Sequence, residues 1–299
     1  MDAMSSHVLA ILNQPSADAP PEQPGAAPFR FVDPDQPHLA MTDFGATRGD
    51  GIFETISVGD GYPQAFEHHL TRFARSAASL ELPTPDHGAW HATVLAVVAE
   101  LDPAPESWVK LVLTRGIEGS NRPTGWAYGA HAGDFRHQRT EGIRVVMLDR
   151  GYRHDIEQTS PWLLAGAKTL SYAINRAAVR EAARRDADDV IFVSADGIVL
   201  EGPTSTVVFR RADMLISPGT GLGILDGTTQ ANIFRYAQSL GMKTAFELAT
   251  PDMLRAADAA WLVSSVRLAA PVRELDGAPM RVDTALTAGI NEYLRALRD

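Results

Sequence analysis

Between residues 47 and 80 the chain changes its hydrophobic period, and that change limits the folds open to it. Gly49-Asp50-Gly51 marks a tight turn, and Ile52-Phe-Glu-Thr-Ile-Ser-Val58 reads as a strand. Asp60-Gly61 turns the chain, and Tyr62 to Phe66 starts a return strand. From His68 to Leu80 the spacing lengthens, and Leu70, Phe73, Ala77 and Leu80 share one helical face. A segment that needs both a pleated surface and a helix to cover it belongs to a mixed α/β fold. The same alternation continues with a helix over 90–101, strands over 108–114 and 143–148, and a helix over 172–185. Asp189–Leu200 reads as a hairpin turning at Ala195-Asp196-Gly197. Val207–Phe209 and Ala259–Ser265 read as strands, and 230–240 and 283–297 as helices.

At 299 residues the chain is long enough for two domains. Residues 1–28 contain the short apolar run Val8–Leu12 and then a Pro- and Ala-rich stretch, which read as an N-terminal extension and linker. Residues 29–134 are expected to form a small N-terminal α/β domain, and residues 135–299 a larger C-terminal one. A polar, glycine-containing stretch from Gly129 to Gly142 marks the boundary.

The net charge of −10 argues against a nucleic-acid partner. The absence of cysteine excludes disulfides, thiol catalysis and Cys-based metal sites, and the nine histidines show no paired metal-binding spacing. No apolar run reaches the length of a membrane span, and no signal peptide is evident, so a cytoplasmic protein is expected.

Of the 27 basic residues only three, Lys110, Lys168 and Lys243, are lysines. A chain that uses arginine so freely raises the question of what each amine does that a guanidinium cannot. Arginine stays protonated, whereas a partly buried lysine can shed its proton and act as nucleophile or base. Lys110 lies in an alternating strand, and Lys243 follows a helix end, where a cation is ordinary. Lys168 has Gly166 and Ala167 on one side and a helix start on the other, so it stands out as a candidate catalytic amine.

The second half adds a carboxylate at a strand end, Glu201 in Glu201-Gly-Pro-Thr-Ser-Thr206. It also adds Gly227-Thr-Thr229 at a helix start, where backbone N–H groups and hydroxyls suit an anion. Simple N-capping by threonine accounts for that last feature equally well. Ser264-Ser265 ends a strand. The glycines at 219, 221 and 223 do not fit G-x-G-x-x-G, so a Rossmann site is not expected. An amine, a carboxylate and hydroxyl-rich anion sites are what pyridoxal phosphate needs for its aldehyde, its ring nitrogen and its phosphate.

On Arg48-Gly-Asp-Gly-Ile-Phe-Glu54, His69-Leu-Thr-Arg72, Lys168, Glu201–Thr206, Gly227-Thr-Thr229 and Ser264-Ser265 ahead of Pro271-Val272, the sequence resembles the fold-type IV pyridoxal-phosphate enzymes over residues 40–280. That group includes branched-chain and D-amino acid transaminases, (R)-selective amine transaminases and 4-amino-4-deoxychorismate lyases. The resemblance implies a two-domain α/β (α+β) fold whose larger domain is built on a β-barrel-like sheet, and a homodimer. It implies Lys168 as the Schiff-base lysine and Glu201 as partner of the pyridine nitrogen. It implies Arg72, Thr228, Thr229 and Ser265 at the phosphate, Tyr172 against the cofactor, and Arg122 at the substrate carboxylate. The activity implied is an aminotransferase acting between an amino acid or amine and a 2-oxo acid. The alternative is a lyase releasing pyruvate and 4-aminobenzoate from aminodeoxychorismate. A non-catalytic α/β protein binding a phosphorylated ligand through Gly227-Thr-Thr229 is the third reading.

Overall fold

A computed structural model describes residues 6–18 and 27–298. The chain forms two compact units. The first comprises residues 1–133, 167–172 and 297–299, and the second residues 134–166 and 173–296.

The first unit contains β1 (His7–Leu12), β2 (Phe29–Val32), α1 (Phe44–Thr47), β3 (Gly51–Gly59), β4 (Tyr62–Pro63), α2 (Phe66–Ser79), α3 (His87–Glu100), β5 (Glu106–Thr114) and β6 (Thr124–His131). Its strands make one six-stranded sheet in the order β2-β1-β6-β5-β3-β4. Along β3, Ile52, Glu54, Ile56 and Val58 are buried, whereas Phe53, Thr55 and Ser57 are half-buried. That alternation follows from the two-residue pleat. The buried face is covered by α2, which contributes Leu70, Phe73 and Ala77, as the helical spacing predicts. Asp86 caps α3 by accepting from the Ala89 N–H at 2.7 Å, so this helix starts three residues before the expected Trp90.

Two expectations for this unit need correction. Residues 7–12 do not belong to an extension: β1 pairs antiparallel with both β2 and β6 and buries Val8, Ala10 and Leu12. The following chain is also tied down, because the Trp90 indole donates to the Pro15 carbonyl at 2.9 Å. Of the expected linker, residues 19–26 lie outside the described residues. The stretch from Thr124 to His131, partly assigned to the boundary, is β6, an interior strand with Ala127 fully buried. Its glycines hid the pattern. A side chain at Gly125 would strike Trp90 and Pro15, and one at Gly129 would strike Val97.

The second unit contains α4 (Arg136–Thr140), β7 (Ile143–Asp149), α5 (Ile156–Thr159), α6 (Ala173–Arg184), β8 (Asp189–Val193), β9 (Thr206–Arg211), β10 (Met214–Pro218), α7 (Thr228–Ser239), β11 (Lys243–Glu247), α8 (Pro251–Arg255), β12 (Ala259–Ser264), β13 (Leu268–Leu275), β14 (Ala278–Pro279) and α9 (Thr284–Ala296). Its strands run in the order β11-β10-β9-β12-β13-β7-β8, with β14 on β13. The central strands β9 and β12 bury the continuous runs Val207–Phe209 and Ala259–Val263, as strands covered on both faces do. The core beneath them includes Ile191, Val207, Phe209, Leu262 and Val272.

The two ends of the second sheet are linked by the segment after β8. Leu200 N–H bonds to Phe192 O at 2.8 Å, and Val199 N–H bonds to Ala249 O, just past β11, at 2.7 Å. The expected barrel-like character arises from this bridge. The expected hairpin reduces to β8 plus this bonded segment, with an isolated bridge between Val193 and Val199. Lys243 is not merely a cation after a helix: it opens β11 and pairs with Asp213 at 3.1 Å.

Candidate active site

Lys168 lies in a part of the chain flanked on both sides by second-unit residues, yet its segment belongs to the first unit. The segment docks on the edge of β3 where β4 does not reach. Phe53 N–H bonds to Lys168 O at 3.0 Å, Leu170 N–H bonds to Gly51 O at 2.8 Å, and Ile52 and Thr169 form a bridge. Leu113 O and the Leu170 side chain crowd Gly51 so closely that a Cβ there would meet them at 2.7 and 2.8 Å. The Lys168 N–H is held by the Ser76 hydroxyl of α2 at 3.2 Å. With its backbone fixed, the half-buried side chain places Nζ 4.4 Å from the centroid of the Phe53 ring. Tyr172 packs edge-on against the same ring at 5.4 Å.

Next to Phe53 on β3, Glu54 points to the opposite face and is completely buried. Its Oε1 accepts from Arg72 Nε at 2.6 Å, and its Oε2 from Arg72 Nη2 at 2.7 Å. Oε2 also accepts from His69 Nδ1 at 2.8 Å. Since Nδ1 faces a carboxylate, it carries the ring proton in the neutral imidazole. His69 is 1% and Arg72 6% exposed. Burial alone would raise the Glu54 carboxyl, but Arg72 and His69 outweigh it and hold the group well below the usual carboxylate range. Burial pushes the His69 pKa down, Glu54 opposes this, and the nearby Arg72 and Lys168 charges add to the fall. Sequence reasoning singled out Arg72 and missed this network. The visible signal was Glu54, an acidic residue at a core-facing strand position, with His69 and Arg72 three apart on a helix.

The second unit supplies a different set of groups. Glu201 follows the bonded segment after β8, where its carbonyl accepts from Phe192 N–H at 2.8 Å and its Oε2 from Leu225 N–H at 3.1 Å. Thr228 and Thr229 form the buried first turn of α7. The cap residue of that helix is Gly227, which has no side chain to occupy the leading N–H groups. A Cβ at Gly227 would meet Thr206 Oγ1 at 2.5 Å, so Thr206 sets how the chain enters α7. In the same turn Gln230 is buried with its Nε2 lacking a partner among the described residues, as is the Ser205 hydroxyl. Ser265 follows β12 and is half-buried.

Arg122 is exposed on the loop between β5 and β6, with its N–H on the Ser120 hydroxyl at 3.2 Å. Arg115, at the start of that loop, is engaged structurally. It grips Asp50 at 2.6 and 3.2 Å and donates to the Leu80 carbonyl at 2.7 Å. Lys110, read as a strand residue, lies on the half-buried face of β5 with Nζ 5.4 Å from the Trp108 ring centroid. Thr55 and Tyr128 flank it in the register.

The donor set can be tested against a pyridoxal phosphate group by its chemistry. A fixed amine, a buried guanidinium, a carboxylate and a helix start with no side-chain cap are the four kinds of group such a cofactor uses. Gln230, with its unpartnered amide at that helix start, adds a buried donor where an anion is expected. The residues fit.

Comparison with known proteins gives the same answer. Residues 51–275 match the family model described as amino-transferase class IV. A bifunctional aminodeoxychorismate lyase / D-amino acid transaminase of Mycobacterium tuberculosis is 40% identical over 257 residues, covering 83% of this chain and 89% of the relative. A fold IV transaminase from Curtobacterium pusillum superposes with a TM-score of 0.92 at 54% identity, covering 97% of this chain and 99% of that one. A protein described as a hypothetical aminotransferase from Mycobacterium tuberculosis, solved in a PLP-bound form, gives 0.84 at 38% identity, covering 89% and 96%.

Proposed function

Because the chain belongs to the class IV aminotransferases, we propose that it uses pyridoxal phosphate to move an amino group between an amino acid and a 2-oxo acid. The observation that carries this reading is the seat of Lys168: its backbone is locked to β3 and Ser76, and its amine rests on Phe53. When bound, the cofactor supplies a ring that accepts the electron pair left at the substrate Cα. Lys168 would hold the cofactor through its amine and, once released from it, would take the proton from the substrate Cα as general base. Glu201, oriented by the Leu225 N–H, holds a proton on the ring nitrogen. Arg72, the first turn of α7 with Thr228 and Thr229, and Ser265 bind the phosphate. Tyr172 would help to hold the ring, and Arg122 would bind the substrate carboxylate.

D-amino acids are the donors we assign, following the M. tuberculosis relative that bears that activity in its name. The same name supports a second reaction, release of pyruvate from aminodeoxychorismate, which the same lysine can start by removing the same proton. The protein works as a homodimer in the cytoplasm. Among the described residues no helix is long and apolar enough to cross a membrane.

The test is the visible spectrum of the cofactor-loaded protein with a panel of L- and D-amino acids and no oxo acid. Loss of the lysine-linked cofactor band with a D-amino acid, and its return on adding a 2-oxo acid, is the expected result. A band that persists with every donor but accompanies 4-aminobenzoate formation from aminodeoxychorismate leaves only the lyase. A Lys168→Ala protein that gives the wild-type spectrum overturns both.

A further inference from the structure

Glu54 and His69 form a buried polar group for which the proposed chemistry has no direct use. Removing two charges from water is costly, and a buried ion pair is rarely worth more to stability than well-packed apolar side chains. What such a pair does supply is fixed geometry. Glu54 binds Arg72 through both Nε and Nη2, at 2.6 and 2.7 Å, which sets the plane of the guanidinium as a single hydrogen bond cannot. His69 then fixes the carboxylate by donating to Oε2, and the Thr55 N–H approaches the same oxygen at 3.3 Å.

The position of Arg72 on α2 gives that geometry a purpose. Arg72 and Ser76 are four residues apart, hence stacked on one helix face about 5–6 Å apart. Ser76 is the residue that holds the Lys168 backbone. On β3, Phe53 supports the Lys168 amine while its neighbour Glu54 supports Arg72. One turn of helix and two adjacent strand residues therefore set the spacing between an amine and a guanidinium. In pyridoxal phosphate the aldehyde and the phosphate arm leave adjacent ring carbons, so the groups that bind them must be held at a short, fixed separation.

We infer that Glu54 and His69 are positioning residues that orient Arg72 toward the phosphate of the cofactor at a set distance from Lys168. The inference rests on the reading of Lys168 and Arg72 given above. Neither residue touches the reacting atoms; both act through Arg72.

The test compares two ligands that differ only in the phosphate. Apoprotein is titrated with pyridoxal phosphate and with pyridoxal, following absorbance, for the wild type, Glu54→Gln, Glu54→Asp and His69→Asn. In Glu54→Gln the amide offers one acceptor where the guanidinium needs two. Affinity for pyridoxal phosphate is expected to fall by about tenfold or more, with pyridoxal affinity changed by less than about twofold. Glu54→Asp, which keeps both oxygens, recovers part of the loss. His69→Asn, which keeps a donor for Oε2, shows a smaller loss of the same selective kind, and it carries the test if Glu54→Gln does not fold. Equal losses for both ligands, no loss, or tighter binding of the phosphorylated one overturns the inference. If the wild type forms a lysine-linked species with neither ligand, the reading of Lys168 fails instead, so the two failures are told apart.

Discussion

His69 shows at the scale of one residue how the first unit keeps charge in its core. Its imidazole donates to Glu54 while Arg72 and Lys168 lie near, and burial disfavours a second proton. Its folded pKa is lowered from the usual 6.5, so its contribution to stability is complete above that value and is lost as pH falls below it. Glu54 is also depressed, from 4.5, so its contribution starts to fall only below that pH. Both slopes have the same sign, since the folded state binds fewer protons, and histidine acts first. The wild type should therefore lose thermal stability between pH 6.5 and 5. His69→Asn, which cannot take up that proton, should show a shallower decline over this interval. Melting curves at half-unit steps of pH measure both. Parallel declines in the two proteins would show that His69 titrates normally in the folded state.

At the scale of an element, α7 shows what governs an anion site. Its first turn depends on Gly227, whose missing Cβ leaves room for Thr206 Oγ1. Thr206 is buried and β-branched, so it cannot readily turn aside. Gly227→Ala should displace the start of the helix and cost about 1–3 kcal/mol. Adding Thr206→Ala removes the oxygen in the way and should recover most of that loss. Chemical denaturation of the two variants measures this. A double variant no more stable than the single one would rule out the steric cause. The sequence showed the helix and its two threonines but not this constraint, because Thr206 and Gly227 are far apart in the chain. The same limit hid the site of Lys168. Its scarcity marked it, and Gly166 and Ala167 marked a turn. That it would dock on β3 depended on a crowded Gly51 and on Ser76, each unremarkable alone.

On the scale of the whole molecule, the sequence read most clearly where apolar spacing was regular and failed where glycine replaced side chains or a strand was flanked by polar chain. Period alone located α2, β5, β7 and β12. It missed β6, where Gly125 and Gly129 leave space for Trp90 and Val97, and β13, whose mixed residues depend on pairing with β12 and β7. It also demoted β1, because a short apolar run before a proline-rich stretch looks like an extension. The structure assigns that run the opposite weight. β1 sits between β2 and β6, and Val8, Ala10 and Leu12 pack on the buried face. The Pro15 carbonyl satisfies the Trp90 indole, and Ser16 bridges to Pro85. Deleting residues 1–17 would strip β6 of a partner, expose a row of backbone donors and acceptors, and leave the indole N–H without its acceptor. The truncated protein should aggregate, or melt without a cooperative transition, in scattering and circular dichroism. A soluble truncation with the wild-type melting temperature would return these residues to the status of an appendage.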